Sequence, residues 1–324
     1  MKNPKSVAEE LASAWRGYEW AGVTIGDHQA RFWSLPPTTS GRAIAALTDL
    51  VCSRTRFPAF NFSEPRLMAY ITRLKESGAD YAYGFVSLLR EIGEFSLRSG
   101  QQLPKVKCVI TTAEKLDHSD RALIESAFRT RVYDEYGCGE LGTIAHECER
   151  GSLHIAAENL IVEVLDNDGR PATDVLGEIT VTDLTNRAMP LIRYRTGDLG
   201  VLSSVACVCG RELPVLREVT GRAYDVISNP AGTRFHGSFF TGLFAEAKKN
   251  GMDVRGFQVV QLAPERLHIK VVPTTNENDL LLAFVRKNVR ERFHPDTEVE
   301  FEYVAAIPRE RSGKIRLVKK SETH

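Results

Sequence analysis

The sequence carries no excess of charge of either sign: 42 Lys and Arg balance 42 Asp and Glu over 324 residues. A neutral chain has no global field to draw it to nucleic acid or to an anionic membrane, so partners held by net charge are excluded. It also has no apolar run near the roughly 18 residues that a bilayer span needs, and its start lacks a signal-peptide core. A cytoplasmic protein with no membrane partner is expected. Six cysteines in a cytosolic chain of this size do not read as a disulfide framework. Internal repeats and low-complexity segments are missing as well. What is left is enough chain for a sizeable core and two domains.

Hydrophobic spacing predicts helices over Ser6 to Trp20, Ser40 to Arg54, Ser63 to Glu76, Ser87 to Arg98 and Asp117 to Phe128. The first would bury Val7, Leu11, Ala14, Trp15 and Tyr18. Between them, Arg31 to Leu35, Tyr81 to Phe85, Val106 to Ile110 and Arg131 to Tyr136 read as strands. Alternating strands and helices imply βα units and a parallel sheet. After Glu140 come short strands, at Leu153–Ile155, Ile161–Leu165, Gly177–Thr182 and Leu191–Tyr194, with a hairpin turn at Asp166-Asn167-Asp168-Gly169. Beyond Asp225, a helix over Ser238 to Lys249, strands Gly256–Leu262 and Leu267–Val272, a helix over Glu277 to Phe293 and a strand Glu298–Val304 form a small α+β unit. Two domains are therefore expected. The larger covers residues 1–223, divided into a βα region (1–145) and a β-rich region (146–223). The smaller covers residues 224–324, with a hinge near Arg222–Asp225.

Several stretches carry chemistry. The run from Met189 to Gly200 reads as a buried strand that delivers Asp198 to a loop at its end. A fixed carboxylate there can accept two hydrogen bonds from vicinal hydroxyls, although an isolated Gly-Asp is also an ordinary solvated turn. Thr111-Thr112-Ala113-Glu114 places small residues at the carboxyl end of a parallel strand, where a planar ring can approach the backbone. In Tyr136-Gly137-Cys138-Gly139-Glu140 the tyrosine can stack on a base and the glycines admit close backbone approach. Glu140 offers hard oxygen to Mg²⁺ bridging phosphates. Gly221-Arg222-Ala223-Tyr224-Asp225 supplies a guanidinium fork suited to ribose or phosphate oxygens, and a surface salt bridge is its plainer reading. Arg311-Ser312-Gly313-Lys314-Ile315-Arg316 puts a lysine on a glycine-containing loop, or forms a solvated basic tail. Cys148, His154, Cys207 and Cys209 make a donor set for a closed tetrahedral Zn²⁺ site, with His146 competing as the fourth ligand and ordinary buried thiols as the alternative. Cys52 and Cys108 read as core residues. Tyr83-Gly84-Phe85 and Cys138 are candidates for shaping a substrate pocket.

In this order and spacing the motifs resemble the adenylate-forming superfamily, and within it the phenylacetate–CoA ligase and capsule-biosynthesis (CapK-like) branch, from about Val7 to Lys320. The resemblance implies an α/β fold: an adenylate-forming large domain, N-terminally shortened, with a parallel sheet and a β-rich subdomain, followed by a small mobile α+β C-terminal domain. It makes Thr112, Ala113 and Glu114 the adenine-binding loop. Tyr136, Gly137, Asp198 and Arg222 become nucleotide-binding residues, Glu140 a Mg²⁺ ligand and Lys314 the catalytic lysine. It implies an AMP-forming acid–thiol ligase that uses ATP, Mg²⁺ and CoA on a small-molecule carboxylate. The superfamily's phosphate loop has no counterpart; Thr38-Thr39-Ser40-Gly41 follows Pro36-Pro37 and reads as a turn and helix cap. The alternative is therefore a shortened AMP- or acyl-adenylate-binding remnant, or a split-enzyme subunit. Its partner would be a second copy or a chain that supplies the phosphate loop.

Overall fold

The structure, a computed structural model, describes residues 2–36, 38–58, 63–166, 168–220, 226–252, 254–274, 279–307 and 317–321. The chain divides into two compact units, one of residues 1–32, 52–56 and 71–222 and one of residues 33–51, 57–70 and 223–324.

Helix α1 (Pro4–Trp20) opens the chain. Asn3 caps it, its Oδ1 accepting from the Ser6 amide at 2.8 Å, and Pro4 fills the first turn, where no amide donor is needed. Its buried residues are Ser6, Ser13, Ala14 and Gly17, whereas Val7 and Leu11 are exposed. Of the periodic apolar set, Ala14 is buried and Trp15 and Tyr18 are half-buried, while Val7 and Leu11 fall off the packed stripe. Close approach requires small side chains: a Cβ on Gly17 would lie 2.2 Å from the His146 ring.

The βα region then runs β1 (Gln29–Trp33), α2 (Thr39–Val51), β2 (Arg54–Pro58), α3 (Glu64–Ser77), β3 (Tyr81–Phe85), α4 (Val86–Ser99), β4 (Val109–Thr112), α5 (His118–Phe128) and β5 (Val132–Cys138). Thr38 caps α2 through Oγ1, which accepts from the Gly41 amide at 3.2 Å. β2 is a strand that the pattern did not reveal, and Cys52 just before it is exposed rather than in the core. Cys108 is buried, which pushes its thiol up to about 12. The strands lie in the order β2-β1-β3-β4-β5, with β1–β3, β3–β4 and β4–β5 parallel. Every residue of β3 and β4 is buried, as in a sheet covered on both faces. β4 begins three residues later than Val106, because its register with β3 starts at Ala82↔Val109. Thr111 and Thr112 therefore belong to the strand rather than to the loop.

The antiparallel region follows: β6 (Gly142–Glu147), β7 (Leu153–Ile155), β8 (Leu160–Leu165), β9 (Gly177–Asp183), β10 (Tyr194–Leu202) and β11 (Val215–Thr220). Together with the first five strands they form an eleven-stranded sheet that continues β5-β6-β7-β11-β10-β9-β8. Ile144, Ala145, Ile155, Leu160, Val164, Ile179, Val181 and Leu216 pack into its core with Tyr136 and Leu141. Between β8 and β9 the Asp166 carboxylate accepts from the amides of Asp168 and Arg170 at 2.9 Å, and Gly169 has φ +76°; Asn167 of this predicted turn lies outside the described residues.

The second unit contributes β12 (Val226–Ser228), β13 (Arg234–His236), α6 (Ser238–Lys249), β14 (Val254–Ala263), β15 (Arg266–Pro273), α7 (Asp279–Arg292), β16 (Glu298–Tyr303) and β17 (Val318–Lys320). Its four-stranded sheet has the order β16-β15-β14-β17. Phe240, Leu243, Phe244 and Ala247 from α6 and Leu281, Val285 and Val289 from α7 bury against Val259, Ile269 and Val271. Phe244 stacks on Phe257 with centroids 3.9 Å apart. Among the described residues no helix is long and apolar enough to cross a membrane.

Candidate functional site

The Met189-to-Gly200 stretch departs from its predicted form. Ile192 is 76% exposed, Arg193 has φ +49°, and the strand begins only at Tyr194. Asp198 lies inside β10, not in a loop beyond it. The register with β9 breaks between Arg195 and Leu199, where Gly197 takes φ +76°, a value that needs no Cβ. This bulge turns Thr196 and Asp198 inward, both buried. Thr196 Oγ1 donates to the Ile179 carbonyl at 3.0 Å and accepts from the Asp198 amide at 3.1 Å. The Tyr136 hydroxyl donates to Asp198 Oδ2 at 2.9 Å across 62 positions of sequence. Burial, with the Asp198 charge adding to it, raises the Tyr136 pKa well above that of a free phenol and keeps the proton on the donor.

Thr112 ends β4, and Ala113 follows with φ +66°, a left-handed backbone uncommon for a residue with a side chain. The chain turns there at once, and Glu114 reaches back to the start of α4. Its carboxylate accepts from the Ser87 amide at 2.6 Å and from the Ser87 hydroxyl at 3.1 Å, an anion at a helix N-terminus. Gly137 permits the tight β5–β6 pairing, since a Cβ there would meet the Gly142 carbonyl oxygen at 2.4 Å. Glu140 stands exposed on the turn between β5 and β6. Arg222 and Lys314 lie outside the described residues, as does the predicted hinge at 221–225.

Sequence reasoning missed a buried cluster on the other face of β5. The Glu135 carboxylate accepts from the hydroxyls of Tyr18 at 3.2 Å, Tyr83 at 3.1 Å and Thr112 at 3.3 Å, and His146 Nε2 approaches to 3.4 Å. Burial, then the Glu135 charge, drives both phenols up. Burial also pulls His146 below its ordinary value, against the pull of Glu135, which favours a neutral imidazole. His146 is thus committed here. A glutamate between Asp134 and Tyr136 has no distinguishing pattern; only the aromatic run Tyr81–Tyr83 hinted at it. Asp134, next along the strand, is pushed up to about 7 by burial, in spite of a 2.8 Å hydrogen bond from Thr111.

The structure brings Cys148, His154, Cys207 and Cys209 together, with every donor atom within 4.8 Å of every other. Cys148 Sγ lies 3.8 Å from Cys207 Sγ, and Cys209 Sγ lies 3.3 Å from His154 Nε2. His154 Nδ1 sits 3.3 Å from the Leu213 carbonyl, a bond that would fix the tautomer and leave Nε2 to a metal. Trp20 meets the His154 ring edge-on at 5.6 Å, and Arg211 covers Trp20 at 4.6 Å. Burial alone would raise the Cys207 thiol. Hydrogen bonds from Ser152, the Cys209 amide, Cys209 and His154 outweigh it and bring the pKa to about 6, towards the thiolate that metals require.

The CapK C-terminal domain family matches residues 228–321. A phenylacetate–coenzyme A ligase of Thermus thermophilus is 34% identical over 121 residues, 36% of this chain and 27% of that protein. The Protein CapK of Staphylococcus aureus is 24% identical over 263 residues, 80% of this chain and 56% of that protein. Among solved structures, a 2-hydroxyisobutyryl-CoA ligase in complex with its acyl-AMP and CoA superposes with a TM-score of 0.57 at 18% identity, covering 97% of this chain and 69% of that one. At this identity the likeness to the solved ligase is one of fold. In sequence the chain is similar to the CapK C-terminal domain over residues 228–321 and, over the stretches just given, to phenylacetate–coenzyme A ligase and Protein CapK. The chain spans 27% to 56% of the length of these curated relatives.

Proposed function

We propose that this chain activates a small carboxylic acid through an acyl-adenylate and passes the acyl group to the thiol of CoA. The observation that carries this reading is the buried Tyr136–Asp198 pair, set on a β-bulge within the superfamily's fold. Asp198 would accept the ribose hydroxyls, Tyr136 would stack on or flank the adenine, and Thr112, Ala113 and Glu114 would shape the adenine loop. Arg222 would take ribose or phosphate oxygens. A carboxylate oxygen of the substrate attacks the α-phosphorus of ATP; acyl-AMP forms and pyrophosphate leaves. Lys314 would stabilise the charge that develops on the reacting oxygens. The thiolate of CoA then attacks the acyl carbon and AMP departs. Glu140, one exposed carboxylate beside the glycine turn, suits Mg²⁺, which would offset phosphate charge. Aryl acetates are the first acids to test, since relatives bear the name phenylacetate–CoA ligase.

The four-donor cluster suits a structural Zn²⁺, because three thiols and one imidazole complete a tetrahedron and leave no position for substrate. Metal analysis should find about one Zn²⁺ per chain, and chelation should lower the unfolding midpoint without touching Asp198; no bound metal would remove the zinc assignment.

In a second reading the chain binds AMP or acyl-adenylate without completing the turnover. Carboxylate-dependent ATP–pyrophosphate exchange separates the two. Exchange by the isolated chain supports the first. AMP binding without exchange supports the second, and loss of both sinks the nucleotide assignment.

A further inference from the structure

A hollow of about 740 Å³ opens where β5 begins, lined by Arg121, Glu125, Arg129, Thr130, Arg131, Glu147 and Gly151. β4 and β5 run parallel, with Val109 beside Val132 and Thr112 beside Glu135. The hollow therefore lies at the opposite end of these strands from the Thr112–Ala113 turn, and no step of the proposed reaction uses it. Among the described residues its lining includes no aliphatic or aromatic side chain to favour an apolar acid by burial.

Three guanidinium groups surround the space, and each is held by a main-chain carbonyl. Arg121 Nη1 donates to Val132 O at 2.7 Å, Arg129 Nη2 to Leu103 O at 2.7 Å and Arg131 Nη1 to Glu149 O at 2.6 Å. Arg131 also lies over the Tyr133 ring at 5.1 Å. The two carboxylates are turned to the protein. Glu125 accepts from the Val132 amide at 2.9 Å, and Glu147 accepts from the Asp134 amide at 2.8 Å and from Arg121 at 2.7 Å. A guanidinium has five N–H donors, so each arginine keeps donors beyond the bonds that anchor it. Groups already fixed in place lose little freedom when a ligand arrives. Three guanidinium forks on one hollow offer more donors than a single planar carboxylate can use, and suit the several oxygens of a phosphate.

We propose that this hollow binds a phosphate-bearing anion, read through its phosphate oxygens by Arg121, Arg129 and Arg131. Arg129 and Arg131 are exposed and supply the fork, while Arg121 is the half-buried anchor that ties the site to Glu147.

Pyrophosphate is the probe, titrated calorimetrically without Mg²⁺ into the full chain carrying Arg222→Gln and Lys314→Gln, so that the groups proposed to meet phosphate in the nucleotide site contribute little. Saturable binding that weakens with added salt is expected, as for any phosphate held by arginine. Arg129→Gln with Arg131→Gln should weaken it by about tenfold or more, through lost charged hydrogen bonds. The same pair of changes in the otherwise native chain should leave AMP binding unaltered, which separates this site from the nucleotide site. Failure to bind pyrophosphate, or equal binding by the double variant, overturns the proposal. Phenylglyoxal labelling of the native chain tests it without mutation: pyrophosphate should protect Arg129 and Arg131, and unchanged labelling of both would refute it.

Discussion

Glu135 and Tyr136 are neighbours on β5 and point to opposite faces, into two buried polar settings of different character. On one face the Glu135 carboxylate is ringed by Tyr18, Tyr83, Thr112 and His146, so its acceptor sites are filled by the protein itself. On the other, Tyr136 meets Asp198 where β10 leaves its register. The first arrangement ties α1, β3, β4 and β6 to β5. The second puts a carboxylate on backbone that has already left the ladder, where an incoming hydroxyl displaces no strand pairing. One face serves cohesion, and the other carries the pair proposed to recognise the nucleotide.

The sharpest way to break this contrast is Glu135→Ala, which strands three hydroxyls in the interior. A loss of about 3–5 kcal/mol in denaturant unfolding is expected, with Glu135→Gln costing less because it still accepts. Asp198→Ala should act chiefly on binding: AMP binding falls by about 2–4 kcal/mol in calorimetry, while stability falls by about 1–2 kcal/mol, less than for Glu135→Ala. If Asp198→Ala costs as much stability as Glu135→Ala and leaves AMP affinity alone, the two faces have been assigned the wrong way round.

The pH dependence sharpens the picture further. The Asp134 carboxyl is raised from 3.8 to about 7, so between those values the folded chain holds a proton that the unfolded chain has released. Its contribution is full below about pH 4 and is lost as pH rises towards 7, with a slope of up to about 1.4 kcal/mol per pH unit. Asp134→Asn should flatten that fall in a set of unfolding curves. His146 acts in the opposite sense: its pKa is lowered by burial, so its contribution fades as pH drops below its ordinary 6.5. The smallest effect belongs to Tyr136→Phe, which removes one hydrogen bond to Asp198 and should cost about 1 kcal/mol in stability. A negligible change would mean that water replaces the phenol.

Much of this was legible because periodicity and punctuation agreed. The alternation from Tyr81 to Tyr136 gave the parallel strands, and the Cys-x-Cys pair with Cys148 and His154 gave a candidate donor set whose four side chains the fold brings together. The choice between His146 and His154 was not legible: both lie in strands of the same β-rich region, and only the fold sends His146 to Glu135. The α1 face was misread because close packing selects Ser6, Ser13 and Gly17, which carry no hydrophobic signal. The bulge at Gly197 looked like a turn, since a positive-φ glycine before an aspartate marks both. Cys52 was misplaced because β2 beside it, with two arginines and a closing proline, does not register as a strand.

β5 pairs parallel with β4 and antiparallel with β6, so one ribbon of backbone welds the two halves of the large sheet. A cut in the exposed Gly139–Glu140 turn would bare the flank of β5 on one fragment and that of β6 on the other. Each flank would offer a ladder of unmet amides and carbonyls to whatever chain came first. Severed halves should therefore either find each other again or grow into filaments; remaining quietly apart is the outcome that this seam does not allow.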